Sequence, residues 1–187
     1  YAAGKSQLVF ATQYNFQPET NITKRVGYFT SSTVAPYSAN IDGIFLESSG
    51  GEVSVNVYRD GTEIHSVPQS AWQPNTPISI DWSQNQIFVI DFQYLGVGRI
   101  RFFLDIDGDL VLLHEAKNAN LNQKVYMATP NHPLRWEIRQ SGVGSGSLSY
   151  ICGSVSSEGS LNQLGRFKEA FTDDFINANS TSLTYAV

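Results

Sequence analysis

The amino-acid sequence predicts an all-β protein, an antiparallel sandwich or barrel, and three observations carry that prediction. Runs of β-branched and aromatic residues alternate with polar ones along most of the first 140 positions. Gly, Pro, Asn and Asp punctuate them at intervals of about 8–12 residues, the spacing of strands in sandwiches and barrels. Windows of helical period are confined to 116–123 and 167–178.

Taken in order, LVFATQYNF (8–16) and RVGYFT (25–30) are the first two strands. GIFLES (43–48) ends at Ser49-Gly50-Gly51, which turns the chain into EVSVNVYRDG (52–61), and Asp60-Gly61 turns it again into TEIHSV (62–67). PISIDW (77–82) follows Pro74-Asn75. QIFVIDFQY (86–94) leads through Leu95-Gly96-Val97-Gly98 into RIRFFLDI (99–106). Asp107-Gly108 tolerates the positive φ angles of a type I′ turn, so DLVLLHE (109–115) returns as a hairpin. VYMAT (125–129) and LRWEIRQ (134–140) close the series on either side of Asn131-His132-Pro133. From Gly142 the texture changes to GVGSGS, a SLSYICGSVSS run and a polar tail ending in the strand-like SLTYAV. Residues 1–141 are thus expected to form the sandwich core domain. Residues 142–187 are expected to be a Gly/Ser-rich linker and a C-terminal strand or tail that completes the sandwich or leads to a further domain. Tyr1 without a preceding methionine, and a strand beginning as the chain stops, suggest a piece of a longer polypeptide.

Pairing outward from Asp107-Gly108 sets Leu104 against Val111 and Phe102 against Leu113 on one face, with Phe103 against Leu112 and Arg101 against His114 on the other. A four-residue connection at 95–98 then sets Phe92 opposite Arg101, Ile90 opposite Phe103 and Val89 opposite Leu104. Both faces of this meander come out apolar, whereas antiparallel sheets commonly keep one face polar. The meander is therefore expected to lie between the core and a second covered surface. Phe88, Ile90, Phe92, Arg101, Phe103, Leu112 and His114 are its candidate interface residues, and a homo-oligomer is the expected assembly.

Composition narrows the function. Charged residues make up 16% of the chain, below the ~25% of an average domain, which suits a surface partly covered by a partner. A net charge of −5 without a basic cluster argues against nucleic acid. No run of 18 apolar residues is present to form a membrane-spanning helix. Cys152 is alone, so no internal disulfide forms, and its alternation within SYICGSV reads as a buried small apolar residue.

The acidic stretch DIDGDLVLLHEA fails as a calcium loop. Counted from Asp105, position 6 is Leu110 and position 12 is Ala116, where such a loop needs glycine and glutamate. His65, His114 and His132 show no metal-ligand spacing. Neither a metal nor a cofactor is expected. Asp91, Asp105, Asp107, Asp109 and Glu115 cluster around the meander, but three of them sit at a turn where solvated Asp is normal, so a glycosidase pair finds little support. Asp91, set among apolar neighbours, is expected to partner a buried hydroxyl or an arginine, of which Arg99, Arg101 and Arg135 are available. Tyr37, Trp72 and Tyr126 are the aromatics that could stack on sugar rings. Asn21-Ile22-Thr23 and Asn179-Ser180-Thr181 match the N-glycosylation acceptor pattern. Nucleophile-elbow, P-loop, zincin and dinucleotide fingerprints are absent from the sequence.

The segments YAAGK, RVGYF, DGIFLE, VNVYRDG, VPQSAW, ISIDWSQNQIFVIDFQYLGVGRIRFFLDIDG, HEAKNAN, VYMATPNHPLRWEI and GSLSYICGSVSSEG together resemble a family of virion structural proteins. That family is associated with tailed bacteriophages of marine and environmental origin and with some large DNA viruses. QIFVIDFQYLGVGRIRF with HEAKNAN and TPNHPLRWEI is the most specific part, and SSTVAPYSAN (31–40) departs from the family's short acidic turn. The resemblance implies a non-enzymatic virion component, such as a capsid decoration, minor capsid, fibre or tail protein, in contact with other virion proteins. It also implies a jelly-roll sandwich, and FFLDIDGDLVL is similar to concanavalin A/laminin-G-like modules. On that second likeness the alternative is a glycan-binding adhesion module. A hydrolase on the same scaffold is the third reading.

Overall fold

The computed structural model describes residues 5–74 and 78–157. Ten strands run in chain order: β1 (Ser6–Tyr14), β2 (Ile22–Thr30), β3 (Asp42–Ser49), β4 (Glu52–Arg59), β5 (Thr62–Pro68), β6 (Gln86–Gln93), β7 (Ile100–Ile106), β8 (Asp109–Ala116), β9 (Leu134–Gln140) and β10 (Ser149–Ser157). They form two antiparallel five-stranded sheets. Sheet A has the order β10-β1-β6-β7-β8, and sheet B the order β5-β4-β3-β2-β9. The chain stays in sheet B from β2 to β5 and in sheet A from β6 to β8, and it changes sheet after β1, β5, β8 and β9. Among the described residues no helix is long and apolar enough to cross a membrane.

Alternation explains the core between the sheets. Val9 and Ala11 of β1, Phe88, Ile90 and Phe92 of β6, and Ile100, Phe102 and Leu104 of β7 point inward from sheet A. Val26 and Tyr28, Ile44 and Leu46, and Val55 and Val57 meet them from sheet B. Full burial of each large side chain contributes ~1.5–3 kcal/mol against the entropy of ordering the chain. The tight turns have the predicted chemistry: φ is positive at Asp60-Gly61 (46° and 77°) and at Asp107-Gly108 (55° and 95°), as type I′ hairpins require.

Three predicted elements are not formed. Residues 125–129 make no strand, because their amides are taken by other partners: Tyr126 N–H donates to Gly96 O at 3.0 Å, and Ala128 and Thr129 donate to the Asp42 carboxylate at 2.9 and 3.4 Å. Residues 78–82 run without a ladder, and Trp82 O accepts from Phe16 N–H at 2.7 Å. At 116–123 only a turn forms, with the Leu121 and Asn122 amides on Asn118 O at 3.2 and 3.3 Å. The expected helix at 167–178 and strand SLTYAV lie outside the described residues.

The meander register differs from the predicted one by a single residue between β6 and β7, where Phe88 faces Leu104, Val89 faces Phe103 and Ile90 faces Phe102. On the other side of β7, Phe103–Leu112 and Leu104–Val111 stand as expected. A shift between Phe102 and Phe103 then moves His114 opposite Phe102 and Glu115 opposite Arg101. A one-residue slip exchanges faces. Phe88, Ile90 and Phe92 consequently lie in the core and not at an outer interface, each no more than 1% exposed.

Candidate functional site

Of the predicted interface set, Arg101, Phe103 and Leu112 lie on the outer face of sheet A. The pairings Phe10–Val89, Val89–Phe103 and Phe103–Leu112 align four apolar side chains straight across β1, β6, β7 and β8. Val89 is fully buried at the centre of this row, while Phe10, Phe103 and Leu112 are partly exposed. The next row, Leu8–Asp91–Arg101–Glu115, is charged. Arg101, one of the three arginines available to Asp91, forms an ion pair with it, and its guanidinium lies 5.4 Å from the centre of the Phe103 ring. Arg99 and Lys117 approach Glu115 at 3.6 and 3.7 Å.

The outer face of sheet B is closed by its own chain. Phe29, Phe45 and Ile41 form a small buried cluster there with Tyr58 against it. Arg25, almost fully buried, bridges Glu47 at 2.5 Å and Glu137 at 3.0 Å. Ser31 Oγ donates to Glu137 at 2.6 Å, and Arg135 and Arg139 reach the same carboxylate. The Arg139 guanidinium sits 5.4 Å from the Tyr37 ring centre. Sheet A has no comparable cover over its outer row among the described residues.

His114 does not face outward with Arg101. It turns into the sandwich and meets His65 of β5, so the two histidines join the edge strands of opposite sheets with Nε2 atoms 2.8 Å apart. Gln73 N–H donates to His114 Nδ1 at 2.9 Å. That bond fixes the tautomer: His114 carries its hydrogen on Nε2 and donates it to the Nε2 lone pair of His65. In this tautomer His114 offers no Nε2 lone pair to a metal, so the pair is a hydrogen-bonded latch between the sheets. Burial pushes the His114 pKa down to about 4, helped by the neighbouring ring and opposed by Glu115. Burial likewise lowers that of His65, against the pull of Glu63. Beside the latch, His65, Gln73, Pro74, Leu112, Glu115, Lys117 and Leu121 line a cleft of about 530 Å³. The interior His132 is bonded to Asp42 at 2.8 Å.

The candidate sugar-stacking residues separate. Trp72 is 6% exposed and Tyr126 fully buried. Trp72 packs in the core with its indole N–H on Val67 O, and the Tyr126 ring lies edge-on to Tyr94. Neither presents a ring face, and Tyr37 alone is exposed. A different pair was missed. Trp136 of β9 and Tyr150 of β10 meet across the sheet edges with ring centres 5.2 Å apart and planes tilted by 33°, and line a cleft of about 270 Å³ with Ile138 and Leu148. No local pattern brings strands separated by a Gly/Ser-rich stretch to one edge.

Asp105 belongs to the hairpin, where its Oδ1 accepts from Gly108 N–H at 2.9 Å. Among the described residues no group of three His, Cys, Asp or Glu is arranged to hold a metal ion. Cys152 is exposed on β10, contrary to the buried position its alternation suggested. β10 is an edge strand, so one side of its alternation has no layer to cover it. Asn21 adopts φ of 59° and donates to Val143 O at 2.8 Å. Asn179 lies outside the described residues. No protein-family model matches the chain, and no curated protein matches it in sequence.

Proposed function

We propose that the chain is a non-enzymatic virion structural protein that works through protein–protein contact at the outer face of sheet A. The observation that carries this reading is the apolar row Phe10–Val89–Phe103–Leu112, aligned across four strands beside a charged row. The arrangement has the anatomy of an interface core with a polar rim. The connectivity, with two meanders joined by four changes of sheet, supports a jelly-roll sandwich of the concanavalin A/laminin-G-like kind. The site's polar groups serve structure: the Asp91–Arg101 pair crosses adjacent strands, the histidines latch the sheets, and Asp105 holds a turn. The virion assignment rests on the segment resemblance. Mass spectrometry of purified particles tests it: peptides of this chain at stoichiometric level are expected, and particles lacking them would contradict it.

A glycan-binding adhesion module is the second reading, favoured by the Trp136–Tyr150 cleft, where the Tyr150 side chain is 67% exposed. Binding on a glycan array that is lost in Tyr150→Ala would move that reading to first place.

A further inference from the structure

The two sheets have four edge strands, and three of them are guarded. An open edge presents a row of backbone N–H and C=O groups to any passing strand, and proteins blunt such edges with charges, proline, bulges or cover. β5 carries Glu63 and ends at Pro68, opposite a register shift between Val57 and Tyr58. β8 carries Asp109 and Glu115, lies against the shift at Phe102/Phe103, and has its Glu115 N–H taken by Gln73 O at 3.1 Å. β9 carries Arg135, Glu137 and Arg139 directly after Pro133.

β10 differs on every count but one. Its nine residues, SYICGSVSS, include no charge and no proline, and all but the first are exposed. Its one irregularity is the shift against β1 between Ala11 and Gln13. Among the described residues β10 pairs with β1 alone. Tyr150, Ile151 and Val155 are large apolar side chains left exposed along it.

We infer that β10 pairs with β10 of a second copy of this chain, antiparallel about a two-fold axis near Gly153, joining two sheets A into one continuous sheet. The strand is suited to itself. A two-fold axis sets the same surface against itself, and an uncharged strand brings no like charges opposite each other. Main-chain hydrogen bonds supply the affinity of such strand addition. This edge is distinct from the outer face of sheet A, so the inference goes beyond the proposed function and stands or falls separately from it.

Cys152, the single cysteine of the sequence, is exposed beside the inferred axis. Treatment of the full chain at micromolar concentration with a short bismaleimide therefore reads the pairing directly, and one cross-linked dimer is the expected product. Val155→Lys introduces a charge at an exposed β10 position that pairs with the inward-facing Val9, off the outer row of sheet A, and should lower the dimer yield about tenfold, equivalent to ~1.4 kcal/mol. Thermal unfolding of each variant verifies that it folds, and Phe103→Asp should leave the yield unchanged, which separates this edge from the face of sheet A. A wild-type yield equal to that of the chain in denaturant, or undiminished cross-linking of folded Val155→Lys, would overturn the inference.

Discussion

His65 and His114 make acid sensitivity a property of two side chains. Both rings are held neutral, so between the ordinary histidine value of 6.5 and about 4 the folded chain binds fewer protons than the unfolded one. The latch's contribution is therefore complete above pH 6.5 and is lost as the pH falls toward 4. Asp42 adds to the loss at lower pH. Burial alone would raise its pKa, but the His132 bond and the amides of Ala128 and Asp60 hold it below the usual 3.8. Unfolding by urea across pH 4–7 should show stability falling with acid, and His65→Gln/His114→Gln should flatten that slope; a slope unchanged in the double variant would count against the latch. Lys24 offers a second test. Fully buried, its Nζ donates to Asn15 O and to Gln17 O, the latter at 3.1 Å, and pairs with Glu19 at 3.1 Å. Lys24→Met strands these acceptors and should cost about 3 kcal/mol in a denaturant titration. Neither feature was legible in the sequence, because the partners of each side chain are set by strand pairing and loop paths and not by spacing.

At the scale of elements, what was legible is what is local. Asp60-Gly61 and Asp107-Gly108 announce their turns because few other residues accept positive φ at both positions. Nine of the ten strands announce themselves by alternation, with β10 reading only as a short run after the Gly/Ser stretch. The β6–β7 register was not legible, since it depends on where the chain bends between Gln93 and Ile100. That one residue decides whether Phe88 or Val89 faces outward. The segment VYMAT alternates like a strand, yet Asp42, far away in sequence, takes its amides. Close strand packing gives a further prediction. Gly43 adopts φ of 129°, and a Cβ there would come within 2.3 Å of Tyr28 O and 2.6 Å of the Phe29 Cα. Gly43→Ala should therefore cost more than ~2 kcal/mol, whereas Gly108→Asn, in open space at a turn position that accepts Asn, should cost less than ~1 kcal/mol. Comparable losses for the two variants in thermal unfolding would contradict this account of the β2–β3 approach.

For the whole molecule, the contrast between the outer faces organises the functional argument. Sheet B closes its outer face with Arg25, Arg135 and a loop that brings Ile41 onto Phe29 and Phe45. Sheet A leaves an apolar row in line with the cleft that Leu112 and Leu121 share. The two-sided apolarity of the meander in the sequence pointed to apolar residues on an outer face, with Phe103 and Leu112 among them. It could not show that the row extends to Phe10, which belongs to a strand some 80 residues earlier in the chain. Sedimentation equilibrium of Val155→Lys and of Val155→Lys/Phe103→Asp, across micromolar concentrations, tests the central claim most directly because it reads the face with the β10 edge silenced. The account predicts concentration-dependent association of the first protein and a folded monomer for the second. Equal association of the two would contradict the assignment of the sheet A face as the contact surface.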